Sequence, residues 1–144
     1  MNTEEIISLD NQISVPALFR FRAKTLNNKV AMREKHFGIW RTFSWNQYYS
    51  NSARLGKAMM TLGLESGQTV SILADPCKEW LFFDLAAQCI GCVSCGIYAT
   101  DSATQILHIC KDSDTMLLMV ENEEQLDKYL AVEEQLPNIH TVVV

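Results

Sequence analysis

The stretch Thr69 to Tyr98, TVSILADPCKEWLFFDLAAQCIGCVSCGIY, decides the fold. Thr69-Val70-Ser71-Ile72-Leu73-Ala74 is an apolar run without polar alternation, and it predicts a strand buried on both faces. Pro76 to Ile90 predicts a helix, and Cys92 to Tyr98 predicts a second buried strand. The same alternation continues with a helix over Ser102 to Asp112, a strand over Met116 to Val120, a helix over Glu123 to Leu136 and a strand over Ile139 to Val144. Continuous apolar strands separated by helices of this length are what a parallel sheet with right-handed crossovers produces.

Reading back from Thr69, Gly63 stops a helix whose buried stripe is Trp45, Tyr48, Tyr49, Ser52, Leu55, Met59 and Leu62, with Ser44 as its N-cap. Before it, Val30 to Arg33 and Ile39 to Phe43 predict a hairpin through Lys35-His36-Phe37-Gly38, where Gly38 supplies a positive φ. Val15 to Leu26 predicts a short entry helix with Pro16 in its first turn. The predicted class is therefore α/β: part of a mostly parallel sheet with helices on both faces, preceded by a short hairpin, as an incomplete N-terminal subdomain. Residues 1–14 are expected to be a tail and residues 15–144 one unit, since no Pro/Gly/Ser-rich linker interrupts them. Thr141-Val142-Val143-Val144 is a strand without a following helix or polar tail, so the chain reads as unfinished.

A chain of 144 residues, 48% hydrophobic and 20% charged, has enough apolar surface for one core and excludes a disordered chain. The net charge of -5 gives no attraction to a phosphate backbone, and the twelve Lys and Arg read as scattered, so no nucleic-acid partner is expected. Met1 to Asn11 carries Glu4, Glu5 and Asp10 with no basic start before an apolar block, which excludes a secretory signal and predicts a cytoplasmic protein. Five cysteines, an odd number, are expected to be reduced thiols. The apolar window Leu81 to Ala99 contains Asp84 and Gln88 and reads as a buried helix entering a buried strand, not as a membrane span.

Candidate chemistry is sparse. Gly63-Leu64-Glu65-Ser66-Gly67 is Gly-rich but follows a helix and precedes a strand, the reverse of a phosphate loop, so it is expected to be a helix stop and turn. Cys89, Cys92 and Cys95 have the spacing of an iron–sulfur run, with His108 and Cys110 downstream, but the fourth position of such a run holds Ala99. Cys92 and Cys95 are expected in one strand, where an offset of three sends side chains to opposite faces. Glu79, Asp84, Glu121 and Glu123 lie near element ends, none paired with a histidine, and His36, His108 and His140 fall on separate elements. Ser71, Ser94 and Ser102 lack a nucleophile-elbow setting. No catalytic, cofactor-binding or metal-binding residue is assigned.

Several stretches in order carry a family resemblance. They are Phe37 to Trp45 with Tyr48; Leu62-Gly63-Leu64 with Gly67-Gln68-Thr69-Val70; and Glu79-Trp80 with Asp84-Leu85-Ala86-Ala87-Gln88 and Gly91 through Thr100. Val120-Glu121-Asn122 with Glu124 to Lys128, and Leu136-Pro137 through Val144, complete them. Over residues 15 to 144 the chain resembles the opening segment of a long-chain acyl-CoA synthetase of the AMP-binding, adenylate-forming superfamily. Gly96-Ile97-Tyr98 reads like the long-chain members, and Ala99 replaces the proline most of them have, as in bubblegum-type members; the sub-branch stays open.

The resemblance implies an ATP-dependent ligase that makes an acyl-adenylate with Mg2+ and transfers the acyl group to coenzyme A. Its fatty acid and CoA would be the family's partners, with peripheral membrane contact allowed. The family's Ser/Thr/Gly-rich phosphate loop, its ribose-binding Asp and its C-terminal Lys domain have no counterpart in these residues. ATP, Mg2+ and CoA are therefore not expected to bind this segment tightly, and it is expected to be inactive alone. The alternative is a non-catalytic module that docks on a full-length synthetase or another partner through its sheet edge.

Overall fold

A computed structural model describes residues 14–144. In chain order it contains α1 (Val15–Leu26), β1 (Val30–His36), β2 (Ile39–Ser44), α2 (Trp45–Thr61), β3 (Thr69–Leu73), α3 (Lys78–Cys89), β4 (Val93–Ile97), α4 (Ala103–Asp112), β5 (Thr115–Val120), α5 (Glu123–Leu130) and β6 (Thr141–Val143). The reading of Met1 to Asn11 as lacking a signal lies outside the described residues, as does all of the expected tail except Ser14. Ser14 caps α1, where its hydroxyl accepts the Ala17 N–H at 3.3 Å. These residues fall into two compact units, divided after Ser50.

In the first unit, β1 and β2 form an antiparallel two-stranded sheet. The strands run further than the expected hairpin and meet at a two-residue turn, because His36 already pairs with Ile39. Both turn residues have positive φ, Phe37 at 48° and Gly38 at 80°. The rings of Phe19 on α1 and Tyr48 at the start of α2 meet edge-on at 4.6 Å. Ser44 caps α2 as expected: its Oγ accepts the Gln47 N–H at 3.2 Å, and Gln47 Oε1 accepts the Ser44 N–H at 2.8 Å. The basic residues are not scattered. Seven of the twelve, Arg20, Arg22, Lys24, Lys29, Arg33, Lys35 and Arg41, fall between residues 14 and 50, against one acid, Glu34.

The second unit is the expected parallel sheet, in the order β4-β3-β5-β6. Every residue of β3 is buried, which is why its sequence shows no polar alternation. Val70, Ile72, Leu117 and Met119 face one way and cluster with Met59 of α2 and Phe83, Ala86 and Ala87 of α3. Leu73, Ile97, Leu118 and Val120 face the other way, onto Ile106 and Cys110 of α4 and Tyr129 of α5. Each such aliphatic side chain contributes about 1.5–3 kcal/mol on burial. Gly56 admits the close approach of α2 to α3, since a Cβ there would lie 3.1 Å from Ile90 Cγ2 and 3.4 Å from the Ala86 carbonyl oxygen.

One expected element is broken. The helix read over Glu123 to Leu136 ends at Leu130, and a 3-10 turn follows at Glu133–Gln135. Tyr129, Val132 and Leu136 all reach the core at helical spacing, so the apolar pattern survives while the backbone tightens before Pro137. Polar groups inside the sheet are paired. Ser71 and Thr115 hydroxyls lie 2.7 Å apart on neighbouring strands, and Thr115 Oγ1 also meets Ser113 Oγ at 2.8 Å. Thr115→Val strands the fully buried Ser71 hydroxyl. It is expected to cost about 1–3 kcal/mol in a urea titration, with Ser71→Ala in the same chain recovering part of the loss.

Candidate functional site

In an open parallel sheet, ligands bind beyond the carboxyl ends of the strands, beside the point where strand order reverses. Here the chain leaves β3 for β4 on one side and returns to β5 on the other, so that point lies between β3 and β5. The gap is clamped rather than open: Glu121 Oε2 accepts the Asp75 N–H at 2.8 Å, and the Glu121 N–H donates to the Leu73 carbonyl at 3.1 Å. Glu121 is thus a carboxylate already engaged by the loop after β3.

Beside the clamp lies an open cleft of about 370 Å³ between the ends of β3 and β4, lined by Asp75, Pro76, Trp80, Gly96, Tyr98 and Thr100 among others. Gly96 lets its neighbour approach closely: a Cβ there would lie 3.2 Å from Trp80 Cζ2, tighter than an ordinary contact, so the indole rests on the strand backbone. Tyr98 is 79% exposed at the rim. The loop after β4 is tied from below by Lys128 of α5, whose Nζ donates to the Ala99 carbonyl at 2.6 Å and to Gln125 Oε1 at 3.1 Å. Lys128 also meets Glu124 at 3.3 Å, a partly exposed pair of little energetic weight. Lys128→Met keeps helix propensity and removes the tie. It is expected to raise amide exchange at Thr100 and Asp101 about tenfold, with about 1 kcal/mol lost in unfolding.

The remaining candidate residues do not converge on this cleft. Cys77 caps α3, its Sγ accepting the Trp80 N–H at 3.4 Å. Burial, then the carboxylates of Glu79 and Glu121, push its thiol pKa up, and the Trp80 bond offsets this only in part. A thiol held this way is a poor nucleophile at neutral pH. Glu79 is paired with Lys78 at 2.7 Å and Asp84 accepts from Gln88 Nε2 at 2.9 Å, both on α3, while Glu123 occupies the first turn of α5. His36 ends β1 with its ring 4.3 Å from that of Phe37, His108 is within α4, and His140 precedes β6. Ser71 is buried in β3, Ser94 lies in β4, and Ser102 is the N-cap of α4 in a capping box with Gln105.

Nor do the cysteines form a cluster. Cys92 precedes β4 instead of lying within it, as the sequence had led us to expect, because Gly91 at φ 81° turns the chain there. Its S–H donates to the Glu65 carbonyl at 3.2 Å and its side chain joins the α3-side core, whereas Cys95 pairs with Ser71 on the opposite face. Among the described residues no group of three His, Cys, Asp or Glu could hold a metal ion. The loop from Gly63 to Gly67 does not fit a nucleotide phosphate either. Its Gly63, Leu64, Glu65 and Gly67 N–H groups are already given to Met60, Met59, Gln68 and Gly91. No helix among the described residues is long and apolar enough to cross a membrane.

A four-stranded parallel sheet covered by helices on both faces, with a cleft at its strand ends, is an open α/β domain architecture. Residues 19–144 match the family model of AMP-binding enzymes, and the chain belongs to that family. The long-chain-fatty-acid–CoA ligase ACSBG2 of Xenopus laevis is 30% identical over 131 residues, covering 91% of this chain and 18% of the relative. ACSBG1 of Bos taurus, with the same activity in its name, is 34% identical over 114 residues, covering 79% of this chain and 16% of the relative. The chain thus spans less than a fifth of the length of these curated relatives. Among solved structures, the anthranilate CoA ligase AuaEII in complex with anthranoyl-AMP superposes with a TM-score of 0.80 at 22% identity, over 88% of this chain and 24% of that one. A fatty acyl CoA synthetase of Mycobacterium tuberculosis superposes with a TM-score of 0.80 at 16% identity, over 93% of this chain and 27% of that one. At these identities the two structures establish the shared fold. The resemblance read from the sequence and the predicted fold class are both borne out.

Sequence reading missed the cleft itself. Gly96 and Tyr98 had been picked out only as family-like residues and Glu121 also as a carboxylate near an element end, although all three sit at or beside carboxyl ends of parallel strands, where ligands of open sheets bind. The Lys128 tie had no sequence signal, since its partner is a backbone carbonyl twenty-nine residues earlier.

Proposed function

We propose that this chain forms the N-terminal part of an ATP-dependent long-chain fatty acid–CoA ligase, with residues 15–144 as a portion of its AMP-binding domain. Support comes from the family match over residues 19–144 together with relatives that carry this activity in their names. In such a ligase ATP activates the fatty acid carboxylate as an adenylate, with Mg2+, and CoA accepts the acyl group. The residues of this segment act as scaffold: they hold the loops at the ends of β3, β4 and β5 and supply no nucleophile, base or phosphate cradle. We place the protein in the cytoplasm, with any membrane contact peripheral.

The test compares two preparations in fatty-acid-dependent pyrophosphate exchange and CoA-thioester formation: the 144-residue chain, and the product purified from its own cells with its intact mass determined. The expected result is silence from the 144-residue chain and activity from a larger native product. Exchange by the short chain would overturn the scaffold role, and a larger product without ligase activity would overturn the ligase reading.

A second reading, a non-catalytic module docking on a full-length synthetase, draws on β6. This short edge strand pairs with β5 alone among the described strands, and an open strand edge is a template for a further strand. A stoichiometric complex with such a synthetase in gel filtration is its expected signature, and two separate peaks would end it.

A further inference from the structure

The β1–β2 hairpin carries a tip that the stability of the fold does not explain. Phe37 is 92% exposed and sits at φ 48°, in the first position of a turn that favours Asn, Asp or Gly. A phenylalanine there loses both ways: its backbone is strained and its ring buries almost nothing, touching the His36 ring at 4.3 Å. Beside it, Ile39 and Trp40 are 70% and 64% exposed. Pairing of Lys35 with Trp40 and of Arg33 with Thr42 puts these four side chains on one face of the ribbon, all exposed; the other face is half-buried at Met32, Glu34 and Phe43 and exposed toward the tip at His36, Ile39 and Arg41, so the tip is open on both sides.

We propose that this tip docks on an anionic lipid surface, with Phe37, Ile39 and Trp40 entering the headgroup region and Arg33 and Lys35 meeting lipid phosphates and carboxylates. Charge complementarity selects the partner. The chain as a whole carries -5, yet the first unit, Met1–Ser50, holds seven Lys and Arg against the four acids Glu4, Glu5, Asp10 and Glu34, and only Glu34 of these lies after residue 14, so an anionic surface attracts this unit while the rest of the chain is repelled. Aromatic and aliphatic side chains projecting from a basic ribbon match the interface of a bilayer, where tryptophan and phenylalanine lie at headgroup depth. Nucleic acid would be drawn by the same charge, but a turn residue at the extreme tip with Ile39 beside it fits insertion better than stacking along a strand of bases.

The experiment is co-flotation of the 144-residue chain with vesicles of mixed phosphatidylcholine and phosphatidylserine, set against vesicles of phosphatidylcholine alone. Binding to the mixed vesicles only, weakened by salt, is expected. Phe37→Asn suits the positive φ, so the fold should be kept or strengthened in a thermal melt while vesicle partitioning falls about tenfold. Lys35→Glu should lower it at least about fivefold. The proposal is overturned if mixed vesicles do not bind the chain or if Phe37→Asn binds them equally well. It is also overturned by a self-associated species that Phe37→Asn disperses, or by oligonucleotide binding without vesicle binding. The readout is partitioning rather than turnover, so its outcome is independent of the ligase reading.

Discussion

Ile72→Ala lowers the unfolding free energy by about 3–4 kcal/mol in a urea titration, while Met60→Ala changes it by less than about 0.5 kcal/mol. Both side chains are large and apolar, and they sit in neighbouring elements of the second unit. Ile72 is fully buried in the strand between β4 and β5, facing α2 and α3, so its loss leaves a cavity in a layer that is covered on both sides. Met60 lies on α2 one position after buried Met59 and is mostly exposed. Equal costs for the two would mean that β3 is not the buried centre of the sheet and would remove the basis for locating the cleft at its end.

Gly91→Ala is expected to cost about 2–3 kcal/mol, against about 1 kcal/mol for Gly63→Ala. The two glycines have similar backbone angles, φ 81° and 91°. They differ in surroundings: a Cβ at Gly91 would lie 2.5 Å from Ser66 Oγ and 3.2 Å from Ser66 Cβ, whereas nothing lies within 4 Å of one at Gly63. Displacing Ser66 also disturbs the Gly91 carbonyl, which accepts from the Gly67 N–H at 2.8 Å and from Ser66 Oγ at 3.2 Å. Chemical denaturation of the two variants side by side separates backbone strain, common to both, from the clash at Gly91 alone. Matching losses would show that Ser66 turns aside freely.

The fold was legible because its strands are unusually plain. A strand with all five residues buried cannot alternate, and the runs read from Thr69, Cys92 and Met116, separated by helices, pointed to a parallel sheet. The second of them is not the buried strand the sequence predicted, since β4 lies at the sheet edge and only Ile97 of it is buried. Helix starts were legible where a hydroxyl caps them, as at Ser44 and Ser102. The end of α5 was not, since Val132 and Leu136 keep helical spacing through a 3-10 turn that only backbone geometry reveals. The hairpin turn at Phe37 was read as longer than it is for a related reason: a phenylalanine gives no propensity signal for a left-handed turn position. Of the cleft, the glycine and tyrosine were visible as residues, but what makes it a cleft is the indole of Trp80 lying on Gly96, a contact between a helix and a strand sixteen residues on. The concentration of Lys and Arg between Arg20 and Arg41 was present in the sequence and was obscured by the acidic total.

The strand order also dictates a sequence of events during folding. Thr69 pairs with Val93 on one side and with Thr115 on the other, so the second closure spans nearly twice the length of chain. Loop entropy alone separates the two by only about 0.6 kcal/mol, too little to impose an order. The helices tip the balance only slightly: α3 packs on β3 and β4, although its cluster is completed by Leu117 and Met119 of β5, whereas α4, whose buried Ile106 and Cys110 cluster with Leu118 and Val120, packs mainly on β5. The β3–α3–β4 segment is therefore expected to form first, and φ-values higher in α3 than in α4 are the measurement that checks this. A chain emerging residue by residue meets its partners in that same order, which keeps the apolar strands β5 and β6 from waiting unpaired.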